Sequence, residues 1–133
     1  MEEIVNFLEK NKYGNLATSV GGQPYVRPFE YGFKTDDGFF FYTSNDKKVY
    51  GELQNNPKVS FCSTADDLTY VQITGDIQFT EDEELKETML HRSENAHQIY
   101  KSPDNQRFKI FYMPHGKAVL HKYREKYETE EKF

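Results

Sequence analysis

In "FYTSNDKKVYGELQNNP", residues 41 to 57, four side chains with phosphate-binding chemistry fall within six positions. The hydroxyls of Thr43 and Ser44 precede two lysines, Lys47 and Lys48, at which a helical pattern over about 47–55 begins. A helix amino end carries exposed N–H groups and partial positive charge, so it favours acids and repels cations. Hydroxyls, ammonium groups and free backbone donors converging on one point form a site for a phosphate group. The alternative is that Asn45 or Asp46 caps the helix and the lysines face water, and spacing alone does not choose between the two. Arg27 adds a second signal. It sits among aromatics on an alternating stretch, where a guanidinium is costly unless it meets an anion. That anion is either an acid of the chain, Glu30 or another, or a ligand. The adjacent Pro28 lacks a ladder donor, as at a strand edge or bulge.

Other chemistries lose their usual signatures. His91 and His97 are six apart, which puts them on different faces of one helix, and neither makes the i,i+4 pair of a helical zinc site. His115 reads as a turn residue and His121 as a strand residue, so no metal is expected. The acids of "EDEELKE" suit the first turn of a helix. There is no G-x-S-x-G pattern, P-loop or G-x-G-x-x-G fingerprint. The single cysteine, Cys62 in "VSFCS", excludes an intramolecular disulfide and reads as a packed, inert thiol. No residue stands out as a catalytic acid or base, and the catalytic residues are unassigned.

These groups need a scaffold, and the pattern supplies one. Ile4, Val5, Phe7 and Leu8 mark an opening helix over 2–12. "YGNLATSV" is strand-like and closes at Gly21-Gly22. From Pro24 to Lys34 the chain alternates, with Tyr25, Arg27, Phe29, Tyr31 and Phe33 on one face. Asp37-Gly38 predicts a hairpin into "FFFYT". After the 47–55 helix, Asn56-Pro57 leads into "KVSFCST", then a long strand to Phe79 whose Gly75 marks a bulge or a close backbone approach. Thr80 and Glu83 form a capping-box pattern for a helix carrying Leu85, Met89 and Leu90. "FKIFYM" and "GKAVLHKY" predict a last hairpin about Pro114-His115-Gly116, and 122–133 is a charged tail, frayed helix or disordered. The fold class is mainly β with helical additions: a six-stranded antiparallel barrel in a single domain over 1–133.

With 133 residues and 16% aromatics but no Trp, the core must be built from Phe and Tyr. The net charge of −5 argues against nucleic acid as a partner. No apolar run approaches the ~20 residues of a membrane span, and the acidic, amphipathic start is unlike a signal peptide. The expected location is cytoplasmic.

Three blocks, "YVRPFEY", "FFFYTSNDKKVYGELQNNPKVSF" and "YVQITGDIQF", resemble the FMN-binding split-barrel family related to pyridoxamine 5'-phosphate oxidase, nearest to its short nitroimidazole-reductase-like branch. The resemblance covers about residues 2 to 122. It implies a Greek-key split β-barrel, a homodimer with FMN at the subunit interface, and oxidoreduction of a small molecule. By position it implies that Arg27, Pro28 and Phe29 line the flavin, largely through backbone groups. Tyr42, Thr43 and Ser44 would hold the ring edge and ribityl chain, and Lys47 and Lys48 the phosphate. Gln72 would add a contact from the long strand, and the partner subunit would contribute from Gln106 to Phe108. The chain lacks the Arg-Leu-x-Pro block with which such oxidases hold their substrate phosphate, so vitamin B6 oxidation is not expected. A non-enzymatic flavin carrier, store or redox sensor would use the same residues. A haem or deazaflavin ligand on the same fold is a further alternative, with His115 or His121 as the haem ligand.

Overall fold

The aromatic run "FFFYT" decides the architecture, because its side chains alternate between two apolar layers. In the computed structural model, which describes residues 1–133, it forms β3 (Gly38–Ser44), with Phe39 and Phe41 facing one core and Phe40 facing another. Around it the chain runs α1 (Glu2–Lys10), β1 (Tyr13–Val20), β2 (Gln23–Thr35), then β3, α2 (Lys48–Asn55), β4 (Lys58–Thr64) and β5 (Tyr70–Thr80). It continues through α3 (Glu83–Arg92), α4 (Glu94–Tyr100), β6 (Phe108–Lys122) and β7 (Tyr127–Lys132). All strand pairings are antiparallel, in the order β3-β2-β1-β4-β5-β6, and pairing of β3 with β6 closes a six-stranded barrel. No helix is long and apolar enough to cross a membrane.

The barrel interior is filled by Leu16, Tyr31, Phe39, Phe41, Phe61, Val71, Ile73, Phe111 and Leu120, all at most 1% exposed. The helix α1 adds Ile4 and Leu8 to this core, and α2 adds Val49 and Leu53. A second cluster outside the barrel seats α3 and α4 through Met89, Leu90, Ala96 and Tyr100, packed on Phe33, Phe40, Phe108 and Ile110.

Four expectations change. Tyr31 and Phe33 do not share a face, because the β2–β3 register passes from Tyr31↔Phe41 to Phe33↔Phe40, a bulge at Gly32 that sends Phe33 to the outer cluster. A Cβ at Gly32 would overlap the Met89 side chain and the Phe40 carbonyl, so the bulge lets α3 lie close. The expected hairpin at Pro114-His115-Gly116 is absent. Here β6 is continuous, with a register irregularity where Asp76↔His115 gives way to Gln78↔Tyr112. Pro114 therefore sits at a bulge in a strand instead of a turn. Gly75 faces Gly116 across this bend, and a Cβ on either would strike the opposite backbone, which is the close approach expected of Gly75.

The charged tail is neither helix nor coil. It turns back as β7, pairs with β6 from Lys117↔Lys132 to Lys122↔Tyr127, and makes a seventh strand beside the closed barrel. The polar alternation of "YETEEK" suits an edge strand, and Phe133 then tucks its ring against Phe39 with centroids 4.8 Å apart. Finally, the cap of α3 is Asp82, whose carboxylate accepts from the Leu85 N–H at 3.0 Å; Thr80 accepts from the Asp82 N–H instead.

Candidate functional site

The site begins where two strands stop pairing. The β2–β3 ladder ends at Tyr31↔Phe41, so Arg27 to Glu30 of β2 pair only with β1. Tyr42 to Ser44 of β3 pair only with β6. Between these parted edges lies a cavity of about 230 Å³ lined by Tyr13, Arg27, Pro28, Phe29, Glu30, Tyr42, Thr43, Lys47 and Val49. Phe29 forms one wall and is braced from behind by Phe41 and Phe111, with centroids at 6.3 and 5.7 Å.

Arg27 does not present a free guanidinium here. It donates to the Leu16 carbonyl at 3.2 Å and to Thr18 Oγ1 at 2.9 Å, and it forms an ion pair with Glu52 of α2. Thr18 Oγ1 donates in turn to Glu52 Oε1 at 2.6 Å, closing the set. The acid partner is thus Glu52, not Glu30, and the arrangement ties α2 to the barrel.

The amino end of α2 is open. Lys47 is its N-cap residue, no side chain caps it, and its first turn holds no acid. Asp46 does not cap the helix: its carboxylate accepts from Ser44 Oγ at 2.6 Å and lies 3.5 Å from Arg107. The Ser44 hydroxyl, and after it Arg107, hold the Asp46 carboxyl below its ordinary range. Lys47 and Lys48 are exposed and belong to no ion pair, but only Lys47 lines the cavity. Thr43 Oγ1 is the other notable group. It is buried, with the residue 2% exposed, and has no hydrogen-bond partner. An unpaired buried hydroxyl costs roughly 1–3 kcal/mol, and Tyr31 and Tyr100 carry partnerless buried hydroxyls of the same kind.

At the other end of the cavity, Tyr42 Oη donates to Glu30 Oε1 at 2.6 Å, and Ser93 Oγ donates to the same oxygen at 2.7 Å. Burial, then the Glu30 carboxylate, push the Tyr42 hydroxyl well above its usual range, so it stays a donor. Tyr13 is raised in the same sense by burial and by Glu30, and its hydroxyl accepts from Asn95 Nδ2 at 2.6 Å.

The structure brings together Arg27, Pro28, Phe29, Tyr42, Thr43 and Lys47 among the residues expected to bind a ligand. It does not bring the others there. Ser44 is engaged with Asp46, and Gln72 lies on the exposed face of β5, donating to Ser60 Oγ at 3.1 Å. Gln106 is exposed beside the link into α2, where its carbonyl accepts from Asn45 Nδ2 at 3.1 Å. Phe108 is fully buried in its own chain, stacked on Tyr100 at 4.7 Å, so its side chain cannot reach a second subunit's ligand. Tyr13, Glu30 and Val49 were missed; the signal for Glu30 was a carboxylate set among aromatics in "PFEYG".

A larger surface depression of about 560 Å³ lies between α3 and α4, lined by Glu87, Leu90, His91, Arg92, Glu94, His97 and Pro103. It unites His91 and His97, against expectation, because the helix breaks at Ser93. No three His, Cys, Asp or Glu side chains are grouped to hold a metal, and no orphaned polar atom faces the depression. His115 and His121 line neither this depression nor the cavity at the split; His121 instead stacks on Tyr70 and meets Glu128 at 3.0 Å. Burial pushes the Cys62 thiol up, as suits an inert packed cysteine.

Residues 1–114 match the family model described as pyridoxamine 5'-phosphate oxidase. No curated protein matches the chain. A NimC/NimA family protein from Clostridium acetobutylicum is similar with a TM-score of 0.88 and 25% identity, over 100% of this chain and 93% of that one. A heme binding protein from Mycobacterium smegmatis gives 0.78 at 17% identity, over 99% of this chain and 56% of that one. An FAD-binding protein from Mesorhizobium loti gives 0.66 at 19%, over 85% and 87%. The last two likenesses are of fold alone.

Proposed function

The chain belongs to the pyridoxamine 5'-phosphate oxidase family, and on that premise we propose that the cavity between β2 and β3 binds FMN in an oxidoreductase acting on a small molecule. The observation that carries the reading is the cavity between the parted edges of β2 and β3, which reaches the unpaired Lys47 at the uncapped amino end of α2. A flavin supplies the electron or hydride transfer; the protein supplies binding, orientation and electrostatic tuning. The residues present fit such a group. Lys47 and the free N–H groups opening α2 suit the phosphate. Thr43 suits a polar atom of the ribityl chain or ring, and Pro28 and Phe29 offer a flat apolar wall. Tyr42, held as a donor toward Glu30, fixes that end of the wall.

At about 230 Å³ the cavity is smaller than the ~300–1,000 Å³ usual for a cofactor-sized ligand. That deficit supports a homodimer in which a second copy completes the pocket. Gln106 and Arg107 are the exposed members of the 106–108 segment, able to reach across where the buried Phe108 is not.

The enzymatic half is tested by turnover. With FMN bound, the protein is expected to oxidise a reduced nicotinamide with a quinone or nitroaromatic acceptor. Binding of FMN without turnover across a panel of donors and acceptors would instead assign a flavin carrier, store or sensor.

A further inference from the structure

Glu30 is the one carboxylate lining the cavity, and it is only half used. Tyr42 from β3 and Ser93 from the start of α4 both donate to Oε1, and the hydroxyl of Tyr13, the partner of Glu30 across the β1–β2 ladder, lies close enough to be raised by the carboxylate. Oε2 receives no hydrogen bond from the protein, and Glu30 belongs to no ion pair. The cations near the split are committed or placed elsewhere: Arg27 is bound to Glu52, and Lys47 opens α2, beyond the end of β3. The carboxylate is also held in place. Ser93 is fixed because its Oγ caps α4, accepting from the Ala96 N–H at 3.0 Å, and Tyr42 is wedged against Tyr100 and Phe108. A fixed anion with one free oxygen, half-buried beside aromatic surface, accepts most strongly from an ionised or strongly polarised donor.

The geometry points to Glu30 as the residue that selects, at the Tyr42 end of the pocket, a planar ligand group bearing a protonated nitrogen or an N–H donor. The pocket is then bipolar: Lys47 and the α2 amino end take an anion, and Glu30 takes a donor nitrogen. An acceptor substrate carrying an amine, amidine or ring N–H would be favoured over one carrying a carboxylate at the same position. The donor is either on the substrate or on the ring edge of the flavin itself. The assignment rests on the flavin reading for its biological meaning, but not for its test.

The probes are benzamidinium and benzoate, planar molecules of matched size and opposite charge, titrated into the flavin-free protein and followed by amide chemical shifts. Benzamidinium is expected to perturb Glu30, Tyr42 and Ser93, and Glu30→Gln is expected to weaken it roughly tenfold or more, the loss of one charge-assisted bond. Glu30→Gln keeps the side-chain length and an oxygen for Tyr42, and a parent-like dispersed spectrum verifies its fold. The same titrations are repeated with FMN added. If benzamidinium still binds the FMN-loaded protein, the nitrogen is the substrate's. If FMN displaces it and Glu30→Gln weakens FMN and riboflavin equally, the nitrogen is the flavin's. If FMN does not bind the parent at all while benzamidinium still depends on Glu30, the flavin reading fails and the Glu30 assignment stands. Equal binding of benzamidinium by parent and variant overturns the assignment. So do perturbations that map in the parent to the Glu87–Glu94 depression instead, a result that does not depend on the variant folding.

Discussion

Lys47→Ala is expected to weaken FMN by a factor of about 10 to 150, leave riboflavin unaffected, and differ sharply from Lys48→Ala. The factor corresponds to losing one charge-assisted bond to phosphate, roughly 1.5–3 kcal/mol. The contrast between neighbours follows from the turn that places them. Lys47 is the N-cap of α2 and lines the cavity, whereas Lys48 is the first helical residue and does not. No acid competes for either ammonium, since Asp46 is taken by Ser44 and Arg107. Lys48→Ala should therefore change FMN affinity by no more than a factor of about 3, as expected of a solvated charge at that distance. Fluorescence titration with FMN and riboflavin on both variants checks this. Equal losses in both lysine variants would mean that the phosphate meets both ammonium groups outside the cavity that Lys47 alone lines. No loss in either would remove the phosphate from this end altogether.

Phe41→Ala is expected to be the most damaging single truncation near the site. Phe41 is fully buried at the centre of an aromatic group, with ring centroids 5.1 Å from Phe61, 5.6 Å from Phe111, 6.2 Å from Tyr31 and 6.3 Å from Phe29. The four surrounding rings come from β2, β4 and β6, so no single strand can move in to fill the void. Such truncations cost about 3–5 kcal/mol, against a total stability of ~5–15 kcal/mol for a domain. Thermal unfolding should fall by roughly 10–20 °C. Because Phe29 would lose its brace, FMN binding should weaken even where the variant is still folded. A denaturant midpoint close to that of the parent would show that the core relaxes around the gap and that the barrel is less tightly specified than its packing indicates.

The parts of this protein that were legible in its sequence are those set by local pattern. The alternation of "FFFYT", the Asp37-Gly38 hairpin and the break at Asn56-Pro57 give β3, its entry and the end of α2, because strand and helix periods are properties of short segments. What was not legible depended on distant partners. Phe33 could be assigned to the wrong face because the bulge at Gly32 accompanies the close approach of Met89 from α3, an element far along the sequence. Pro114 and Gly116 are good turn residues, and only the pairing of β6 with β5 and β3 shows them to be a bend within one strand. The tail "YETEEK" has almost no apolar signal and becomes β7 because the edge of β6 beyond β3 is free to pair.

The same division runs through the site. Thr43 and Lys47 were recognisable from type and spacing beside a helix start, and Arg27 from a charge among aromatics. The partner of Arg27 was not recognisable, since Glu52 is an unremarkable helix acid until α2 is packed on β1. Nor was the place of Glu30 on the cavity wall, which follows from the point at which β2 and β3 stop pairing. That point is a feature of the closed barrel and of no segment in it.

Visible absorption of the protein as purified, followed by mass analysis of the small molecule it releases on denaturation, bears most directly on whether this split barrel is a flavoprotein. A flavin band near ~450 nm and release of FMN are the expected result. A Soret band, or a colourless protein that takes up no FMN when it is supplied in excess, would contradict it.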